Sequence, residues 1–271
     1  MCIIVLAYQC HPHYPLIILA NRDEYFNRPA KQADFWPDQP HIYAGRDLVG
    51  LGTWLGVSLT GKIGMLTNYR EPKFENSQLP SRGLPSGGLP SGGPPSRGLL
   101  VQNYLASAFT PVNYLQSLQL SASQFNGFNL IVGNYQHLYY FSNQTLAITK
   151  LNSGIHGLSN GLLNTPWPKV ELAKRLLKMQ LATGQKPVLA DLFAILANTI
   201  LPADAELPST GLSLERERQL GAIFIQGQDY GTRASTVIMV DNNQQVLVAE
   251  KTFFASLADP IMQQASFRLQ A

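Results

Sequence analysis

The sequence predicts an α+β fold in which strands from both ends of the chain enter the same sheets. Apolar runs of strand length occupy the first and last parts of the chain, and helical periodicity is confined to the middle. Short turn-like gaps separate most neighbouring strands, which is typical of antiparallel connections. The order of strands, then helices, then strands indicates a layered α+β protein rather than an alternating α/β one.

Two continuous apolar runs open the chain, at 2–8 and 14–20, and a turn that contains Pro12 joins them. Runs of this length without polar alternation are typical of strands that are covered on both faces. Four polar residues, Asn21-Arg22-Asp23-Glu24, follow the second run directly. If the two runs pair as a hairpin, this polar quartet lies near the level of Cys2.

The later elements follow from local patterns. Residues 25–41 are predicted to be a loop, because Pro29, Pro37 and Pro40 interrupt them. Thr110-Pro111 supplies an N-cap followed by proline at the first helical position. In chain order the pattern predicts strands at 42–47, 53–59 and 62–67, helices at 99–109 and 111–120, strands at 128–132, 138–141 and 146–150, a turn at 157–160, helices at 168–181 and 189–196, a loop at 202–219, and strands at 222–226, 232–240 and 246–254.

A pentapeptide repeat rich in proline and glycine fills residues 79–98. It has too few apolar side chains to bury, and its composition excludes a regular helix. We interpret it as a flexible insertion, at about 76–97, in a single domain that spans 1–271. Long surface loops cost little closure entropy, so the fold tolerates such an insertion. A recognition loop or a lid is the alternative.

Composition limits the class of protein. The chain has 271 residues and a formal net charge of +3, from 20 basic and 17 acidic residues. This balance argues against a nucleic-acid-binding protein, which would carry a concentrated basic face. No apolar run approaches the roughly 20 residues that span a bilayer, and the start lacks the basic region of a signal peptide. We therefore expect a cytoplasmic protein that is not transmembrane.

Cys2 is the strongest candidate for a catalytic nucleophile. Removal of Met1 would leave a free α-amine and a thiol on one residue, and that amine can take the thiol proton directly. A nearby cation such as Arg22 or Arg233 would favour the thiolate. The alternative is a structural cysteine in a core strand, which is a common fate of this residue type.

Other polar segments stand at predicted strand ends, at 68–70 and at 231–236. The alternative for each is an ordinary polar loop, and for the quartet a self-satisfied salt-bridge cluster. Cys10, His11 and His13 have the residue types of a metal site, but one segment this tight cannot supply a closed tetrahedral zinc site. No metal is expected, and no phosphate-binding or nucleophile-elbow motif is present.

Several short motifs recur in one order along the chain and together resemble the NRDE family, which is named for residues 21–24 and includes the transport and Golgi organisation protein 2 family. These motifs are Met1-Cys2-Ile3, Asn21 to Glu24 with Arg28-Pro29, Ala44 to Asp47, Gly52 to Gly56, Thr67 to Arg70, Ser96-Arg97-Gly98, Gly157 to Asn160, Pro166 to Lys169 and Gly231-Thr232-Arg233.

The resemblance implies an N-terminal nucleophile hydrolase-like fold, a four-layer αββα sandwich of two antiparallel sheets. That superfamily includes choloylglycine and penicillin V acylases. By this similarity the candidate catalytic residues are Cys2, Arg22, Asn68, Asn160 and Arg233, with Asp23 or Glu24 in the acidic role. The candidate ligand-binding residues are Asn21, Glu24, Trp54 and Arg70.

Two functions remain open as hypotheses. The first is a cysteine amidohydrolase that acts on a small amide substrate. The alternative is a non-enzymatic protein that binds or moves haem or an acyl lipid, because the resemblance links the family to Golgi organisation and secretion, haem mobilisation and lipid handling. No cofactor is expected, and haem would enter only as cargo.

Overall fold

A computed structural model describes residues 2–70, 93–255 and 259–270, and most of the predicted insertion lies outside these residues. The first ten strands are β1 (Cys2–Tyr8), β2 (Leu16–Tyr25), β3 (Ala30–Trp36), β4 (Gln39–Asp47), β5 (Leu55–Ser58), β6 (Ile63–Asn68), β7 (Phe128–Gly133), β8 (Leu138–Ser142), β9 (Ile148–Lys150) and β10 (Gly154–Leu158). The helices are α1 (Gly98–Ala106), α2 (Pro111–Gln119), α3 (Pro168–Leu181), α4 (Leu189–Leu196) and α5 (Leu214–Gln219). The last strands are β11 (Tyr230–Val240), β12 (Gln245–Thr252) and β13 (Ile261–Arg268).

The strands form two antiparallel sheets. A six-stranded sheet has the order β10-β1-β2-β11-β12-β13, and a seven-stranded sheet runs from β3 to β9 in sequence order. The first sheet therefore joins the two ends of the chain, through the pairing of β2 with β11. Both the α+β class and the expected meeting of the terminal strands are confirmed.

Apolar side chains divide the molecule into four layers, and β2 shows how. Leu16 and Ile18 point into the core between the two sheets, whereas Ile17 and Leu19 point to the helices on the outer face, because side chains alternate along a strand. Helices α3 and α4 cover the six-stranded sheet, and α1 and α2 cover the seven-stranded one. The predicted αββα sandwich is thus present, and the two opening strands are buried on both faces as expected.

The hairpin that opens the chain is longer than predicted. Its second strand continues through the polar quartet to Tyr25, so the quartet lies inside the strand and not after it. In the antiparallel register Cys2 lies opposite Arg22, and Ile3 lies opposite Asn21. The expectation that the quartet lies level with Cys2 is confirmed.

The predicted loop at 25–41 was wrong, because β3 and part of β4 occupy it. Pro29 precedes β3, and Pro37 lies in the turn between the two strands. Pro40 is near the start of β4, beside an irregularity in the pairing. Prolines at such positions remove no central ladder hydrogen bond, so they interrupt the sequence pattern without interrupting the edge of the sheet.

Four further assignments differ from the prediction. Gly157 and Leu158 belong to β10, since they pair with β1 instead of forming a turn. The segment 222–226 is not a strand, and its Ile223 carbonyl accepts a hydrogen bond from the Asn21 side chain. The predicted loop at 202–219 contains α5, whose N-cap is the Ser213 side chain. Strand β13 was not predicted, because its side chains alternate only between exposed and half-buried positions.

The helices of the described residues are too short or too polar to cross a bilayer.

Gly52 allows the segment before α1 to reach the seven-stranded sheet. A Cβ atom on Gly52 would lie 2.2 Å from the carbonyl carbon of Gly98. The backbone N–H of Thr53 donates to the Gly98 carbonyl at 3.1 Å. This contact fixes residues 96–98 beside the chain that leads into β5.

We expect Gly52→Ala to lower the free energy of unfolding by about 1–3 kcal/mol, because the added methyl group overpacks a backbone contact. Urea unfolding measures the change. The control is Leu120→Ala, at a side chain that is 89% exposed, where we expect a change within about 0.5 kcal/mol. Equal stability of Gly52→Ala and the wild type would contradict this packing.

Glu250 is a buried carboxyl group between the sheets. It accepts hydrogen bonds from the Ala33 backbone N–H at 2.8 Å and from the Thr236 hydroxyl at 3.0 Å. Burial raises the pKa of Glu250 above its ordinary value, more than these hydrogen bonds lower it. The folded state therefore binds the Glu250 proton more tightly than the unfolded chain does, and stability is lost as this carboxyl ionises with rising pH.

We expect the stability of Glu250→Gln relative to the wild type to increase with pH, since glutamine cannot ionise. The difference should be smallest below the unfolded pKa of about 4.3 and largest above the raised folded pKa. Urea unfolding of both proteins from pH 4 to pH 8 measures it. Glu171→Gln, at an exposed position of α3, is the control and should show no such trend. A difference in stability that does not change with pH would contradict the raised pKa of Glu250.

Candidate active site

A cavity of about 300 Å³ opens where β1 begins and β2 ends, against the seven-stranded sheet. Its walls come from β1, β2, β4, β6, the chain between β4 and β5, and the segment before α1. The lining residues are Cys2, Arg22, Asp23, Glu24, Arg28, Asp47, Val49, Gly50, Thr53, Trp54, Leu66, Asn68, Pro94, Pro95, Ser96, Arg97, Gly98 and Asn126.

Cys2 is half-buried at the start of β1. Its thiol accepts a hydrogen bond from the Asp23 backbone N–H, and its carbonyl accepts one from the Ser159 hydroxyl at 2.9 Å. Burial raises the pKa of the thiol, while the charge of Arg22 acts to lower it. The thiol is therefore protonated at neutral pH and requires a base before it can act as a nucleophile.

Arg22 is held in place on two sides. Its guanidinium carbon lies 4.4 Å from the centre of the Trp54 ring, and its Nη2 donates to Asp47 Oδ2 at 2.9 Å. Because Arg22 and Cys2 are paired across the hairpin, both side chains face the seven-stranded sheet. Stacking and ion pairing together fix a positive charge beside the thiol.

Asp47 and Arg28 belong to the cavity, although neither was a predicted site residue. Arg28 donates from Nε to Asp47 Oδ2 at 2.6 Å and from Nη2 to Oδ1 at 3.0 Å. Asp47 Oδ1 also accepts the backbone N–H of Gly50 at 2.6 Å. Both residues stand in the family motifs, and that membership could have marked them as site residues. Their contact with Arg22, however, depends on the pairing of β4 with neighbouring strands.

The pKa of Asp47 lies below its ordinary value. Burial acts to raise it, but the hydrogen bonds from Arg28 and Gly50 and the charges of Arg28 and Arg22 outweigh burial. Glu24 lies at the edge of the same cluster, with Oε2 3.8 Å from Arg28 Nε and 4.0 Å from Arg22 Nη2. Two arginines and two carboxylates thus form one nearly balanced group of charges on the cavity wall.

Asp23 has a carboxyl group that turns to the helical side of the sheet. Its Oδ1 accepts a hydrogen bond from the Thr232 hydroxyl at 2.8 Å, and its backbone carbonyl accepts one from Tyr230. Burial raises the pKa of Asp23, while the charges of Lys169 and Arg22 and the Thr232 hydrogen bond act to lower it. Asp23 therefore connects the cavity to groups behind the sheet.

Asn68 and Asn160 lie in different positions relative to the cavity. Asn68 lines the cavity at the end of β6. Asn160 does not line it, and its Nδ2 donates to the Asn68 carbonyl at 2.7 Å. Of the two asparagines predicted as catalytic candidates, Asn68 lies at the cavity, and Asn160 positions the backbone that carries Asn68.

Three other predicted residues lie outside the cavity lining. Asn21 donates to the carbonyls of Leu196 and Ile223, both at 2.8 Å, on the helical side of β2. Arg70 pairs with Glu217 at 2.7 Å. Arg233 donates from Nη1 to three backbone carbonyls at the end of β2 and in the loop after it, those of Tyr25, Phe26 and Arg28.

The described residues hold no cluster of three metal-ligating side chains. His11 ties the first hairpin turn together, since its Nδ1 accepts the backbone N–H groups of His13 and Tyr14, each at 3.2 Å. Cys2 and Cys10 are free thiols. The cavity therefore offers a thiol, an amide, fixed arginines and carboxylates as its reactive groups.

Comparison with known proteins places the chain in a family. A profile described as Transport and Golgi organisation 2 matches residues 1–255. The chain belongs to this family. It is 33% identical to the Transport and Golgi organization protein 2 homolog of Bos taurus, with 100% of both chains covered. It is 25% identical to the Drosophila melanogaster protein of that name, with 93% of this chain and 92% of the relative covered.

The fold of this Transport and Golgi organisation 2 family member is that of the N-terminal nucleophile hydrolases. A mutant conjugated bile acid hydrolase from Clostridium perfringens superposes with a TM-score of 0.51 at 7% sequence identity. The superposition covers 100% of this chain and 97% of the hydrolase. The fold predicted from the family motifs is confirmed.

We expect Asp47→Asn to destabilise the protein by about 1.5–3 kcal/mol at pH 7, because it weakens charged hydrogen bonds to two arginines. The pKa of Asp47 is lowered, so its contribution to stability is present above the unfolded pKa of about 3.9 and is lost as pH falls through the folded pKa. Urea unfolding of both proteins at pH 7 and pH 3 measures the destabilisation and its decrease at low pH.

The matched control for Asp47→Asn is Asp191→Asn, at an exposed position of α4 that carries no ion pair among the described residues. It should change stability by less than about 0.5 kcal/mol. A destabilisation of Asp47→Asn that is equally large at pH 3 would show that charge does not cause it.

Proposed function

We propose that this protein is a cysteine amidohydrolase that cleaves a small amide substrate. The observation that carries the proposal is that Cys2, Arg22 and Asn68, which the sequence brings from three different segments, line the same cavity. Nucleophile, fixed positive charge and amide donor are the groups that acyl transfer through a thiolate requires.

The first step of the proposed reaction is activation of the thiol. Removal of Met1 frees the α-amine of Cys2, whose reference pKa of about 7.7–8.0 allows it to be neutral near physiological pH. The neutral amine takes the thiol proton, and the resulting thiolate is stabilised by the charge of Arg22. Burial raises the thiol pKa, so the thiol needs a proton acceptor, and the α-amine of the same residue provides it.

In the second step the thiolate sulfur attacks the amide carbonyl carbon. The carbonyl oxygen becomes an oxyanion, which the side-chain amide of Asn68 stabilises by hydrogen bonding. When the intermediate collapses, the C–N bond breaks and the α-ammonium of Cys2 gives its proton to the leaving amine. A thioester remains. Water, deprotonated by the same α-amine, then hydrolyses the thioester and releases the carboxylic acid and the free thiol.

Arg22 acts here as a fixed electrostatic group. Its guanidinium is already stacked on Trp54 and bonded to Asp47, so it is preorganised before substrate arrives. Preorganised charge costs no rearrangement when the transition state forms. This favours a role of Arg22 beside the thiolate over direct pairing with a substrate carboxylate.

The size of the cavity favours a small substrate. About 300 Å³ lies at the low end of ligand pockets. Trp54, Leu66 and Val49 supply its apolar lining, which suits a short acyl or aryl group next to the scissile amide. A non-enzymatic carrier of haem or an acyl lipid would use the same cavity and remains the competing outcome of the test below.

We expect the purified native protein to lack Met1 by intact-mass analysis, and to release primary amine from at least one member of a panel of short-acyl, long-acyl and aryl amides. Cys2→Ala should abolish turnover. Asn68→Ala should reduce kcat by about 10²–10³, the usual effect of removing an oxyanion donor. Amine release, followed with a fluorogenic amine reagent, measures all three proteins.

The matched control is Cys10→Ser, which removes the other thiol at an exposed position outside the cavity. It should keep full activity. Retention of Met1 in the native protein would rule out the α-amine as base. Saturable binding of haem or an acyl lipid with no amine release from any amide would favour the carrier.

A further inference from the structure

The last strand of the six-stranded sheet, β13, leaves one edge without a partner strand. Among the described strands it pairs only with β12, along its full length and without a shift in register. Just beyond β13, the backbone N–H of Leu269 donates to the Gln244 carbonyl at 3.0 Å. Hydrogen-bonded residues alternate along an antiparallel pair. The odd-numbered residues of β13 therefore bond to β12, and the even-numbered ones point their N–H and C=O groups away from it.

Three exposed residues carry these outward backbone groups in the body of the strand: Met262, Gln264 and Ser266. Within the described part of the chain, no hydrogen bond reaches their N–H or C=O groups. Strand β3 lies across the inner face of β13 and does not cover the edge. The Gln32 side chain of β3 accepts from Gln263 at 3.3 Å, and the ring of Phe35 lies 5.4 Å from that of Phe267. The edge is therefore open to a further strand.

The other three edges of the two described sheets carry features that block strand addition. On β10, the Asn164 side-chain oxygen accepts the Gly157 N–H at 2.9 Å, and the Asn164 N–H donates to the Gly157 carbonyl at 2.8 Å. The pairing of β3 with β4 contains two irregularities. Strand β9 has only three residues and ends in Lys150. Paired edge groups, irregular pairing, short length and charge protect edge strands, and β13 has none of these before Arg268.

We propose that β13 is the contact surface of a homodimer, in which it pairs antiparallel with β13 of a second copy about a two-fold axis at Gln264. In this register Gln264 lies opposite Gln264 of the second copy, and Met262 lies opposite Ser266 on each side of the axis. Both residues of each pair point their backbone groups outward, so each pair forms two hydrogen bonds. The three pairs satisfy every outward N–H and C=O group of these residues. This interface does not depend on the proposed catalytic function.

The side chains of β13 are complementary to themselves in this register. Ile261, which is 41% exposed in the single chain, lies opposite Phe267 of the second copy. Aromatic and β-branched residues directly opposite each other stabilise a sheet. At each end of the contact, Arg268 comes within one residue of Asp259 of the second copy. Neither charge has an ion-pair partner among the described residues. The register therefore brings apolar side chains and opposite charges together, and it places no like charges opposite each other.

A second copy fits this edge because the same segment supplies both sides of the contact. The two-fold axis makes the contact isologous, so both free edges are used and the assembly closes at two chains instead of growing into a fibre. One strand pair is a small contact, below the roughly 1,200 Å² that stable interfaces bury. We therefore expect a reversible dimer with a dissociation constant in the micromolar range.

Sedimentation velocity of the full chain over roughly 1–200 μM measures this association. A reductant is present throughout, because Cys10 is an exposed thiol that could cross-link two chains. Gln264→Pro should weaken the dimer about tenfold or more, since proline removes the central N–H donor from both copies. It removes no hydrogen bond between β12 and β13, because the Gln264 N–H points outward.

The matched control is Lys150→Pro, on the edge strand β9. The Leu151 N–H donates to the Leu138 carbonyl at 2.9 Å, so by the same alternation the Lys150 N–H points outward. This variant should associate as the wild type does. A wild type that stays monomeric over the whole concentration range would overturn the proposal and leave the edge to a strand of another protein. A dimer that Gln264→Pro does not weaken would also overturn it.

A charge exchange at Gln264 tests the position of the two-fold axis, and it needs no proline. Gln264→Lys and Gln264→Glu each place two like charges opposite each other, so each alone should dimerise at least about threefold more weakly than the wild type. An equal mixture of the two should restore the dimer, because lysine then lies opposite glutamate. Both substitutions are at an exposed side chain, so these proteins carry the test if Gln264→Pro fails to fold. Weakening of both single variants without recovery in the mixture would overturn the pairing at Gln264.

Discussion

The register of β1 against β2 is the constraint on which the candidate active site depends, because it sets Cys2 opposite Arg22. A slip by one residue would turn every side chain of a strand to the other face. Strands that are apolar on both faces do not choose a register by hydrophobicity alone. Asn21 fixes which face of β2 turns to the helices: its amide bonds to the carbonyls of Leu196 and Ile223 and its oxygen accepts from Ser235, and all three partners lie on the helical side. Turning β2 to its other face would leave these buried polar groups unpaired, at a cost of about 1–3 kcal/mol each.

The same alternation divides the polar quartet between two tasks. Arg22 and Glu24 face the charge cluster around Asp47, at the cavity. Asn21 and the Asp23 carboxyl turn to the helical side, where Asn21 meets backbone carbonyls and Asp23 meets the Thr232 hydroxyl. Four consecutive polar residues in a central strand would be costly if all faced one apolar layer. They are tolerated because each face of the strand provides its own partners.

Much of this fold was predictable from sequence, and the exceptions have physical causes. Continuous apolar runs located the opening hairpin, and helical periodicity located α3, whose predicted range 168–181 is the observed Pro168–Leu181. The β3–β4 hairpin was missed because its prolines lie at an edge and in a turn, where they are harmless to the sheet. The cavity residues Arg28 and Asp47 were not named, since their pairing links segments that only the folded sheet brings together. No local pattern reports a contact of that kind.

The arrangement of the family motifs explains why several of their polar residues lie away from the cavity. Arg233 donates to the carbonyls of Tyr25, Phe26 and Arg28, so it fixes the loop that holds the Arg28 guanidinium against Asp47. Asp47 in turn fixes Arg22 beside the thiol. Asn160 holds the backbone of Asn68 in the same way. In the proposed hydrolase, such a site needs its charges placed before substrate arrives, because a mobile charge would have to be reorganised at the moment of reaction. The outer polar residues provide that rigidity, and a motif read from sequence therefore contains the supports of the cavity as well as the groups that line it.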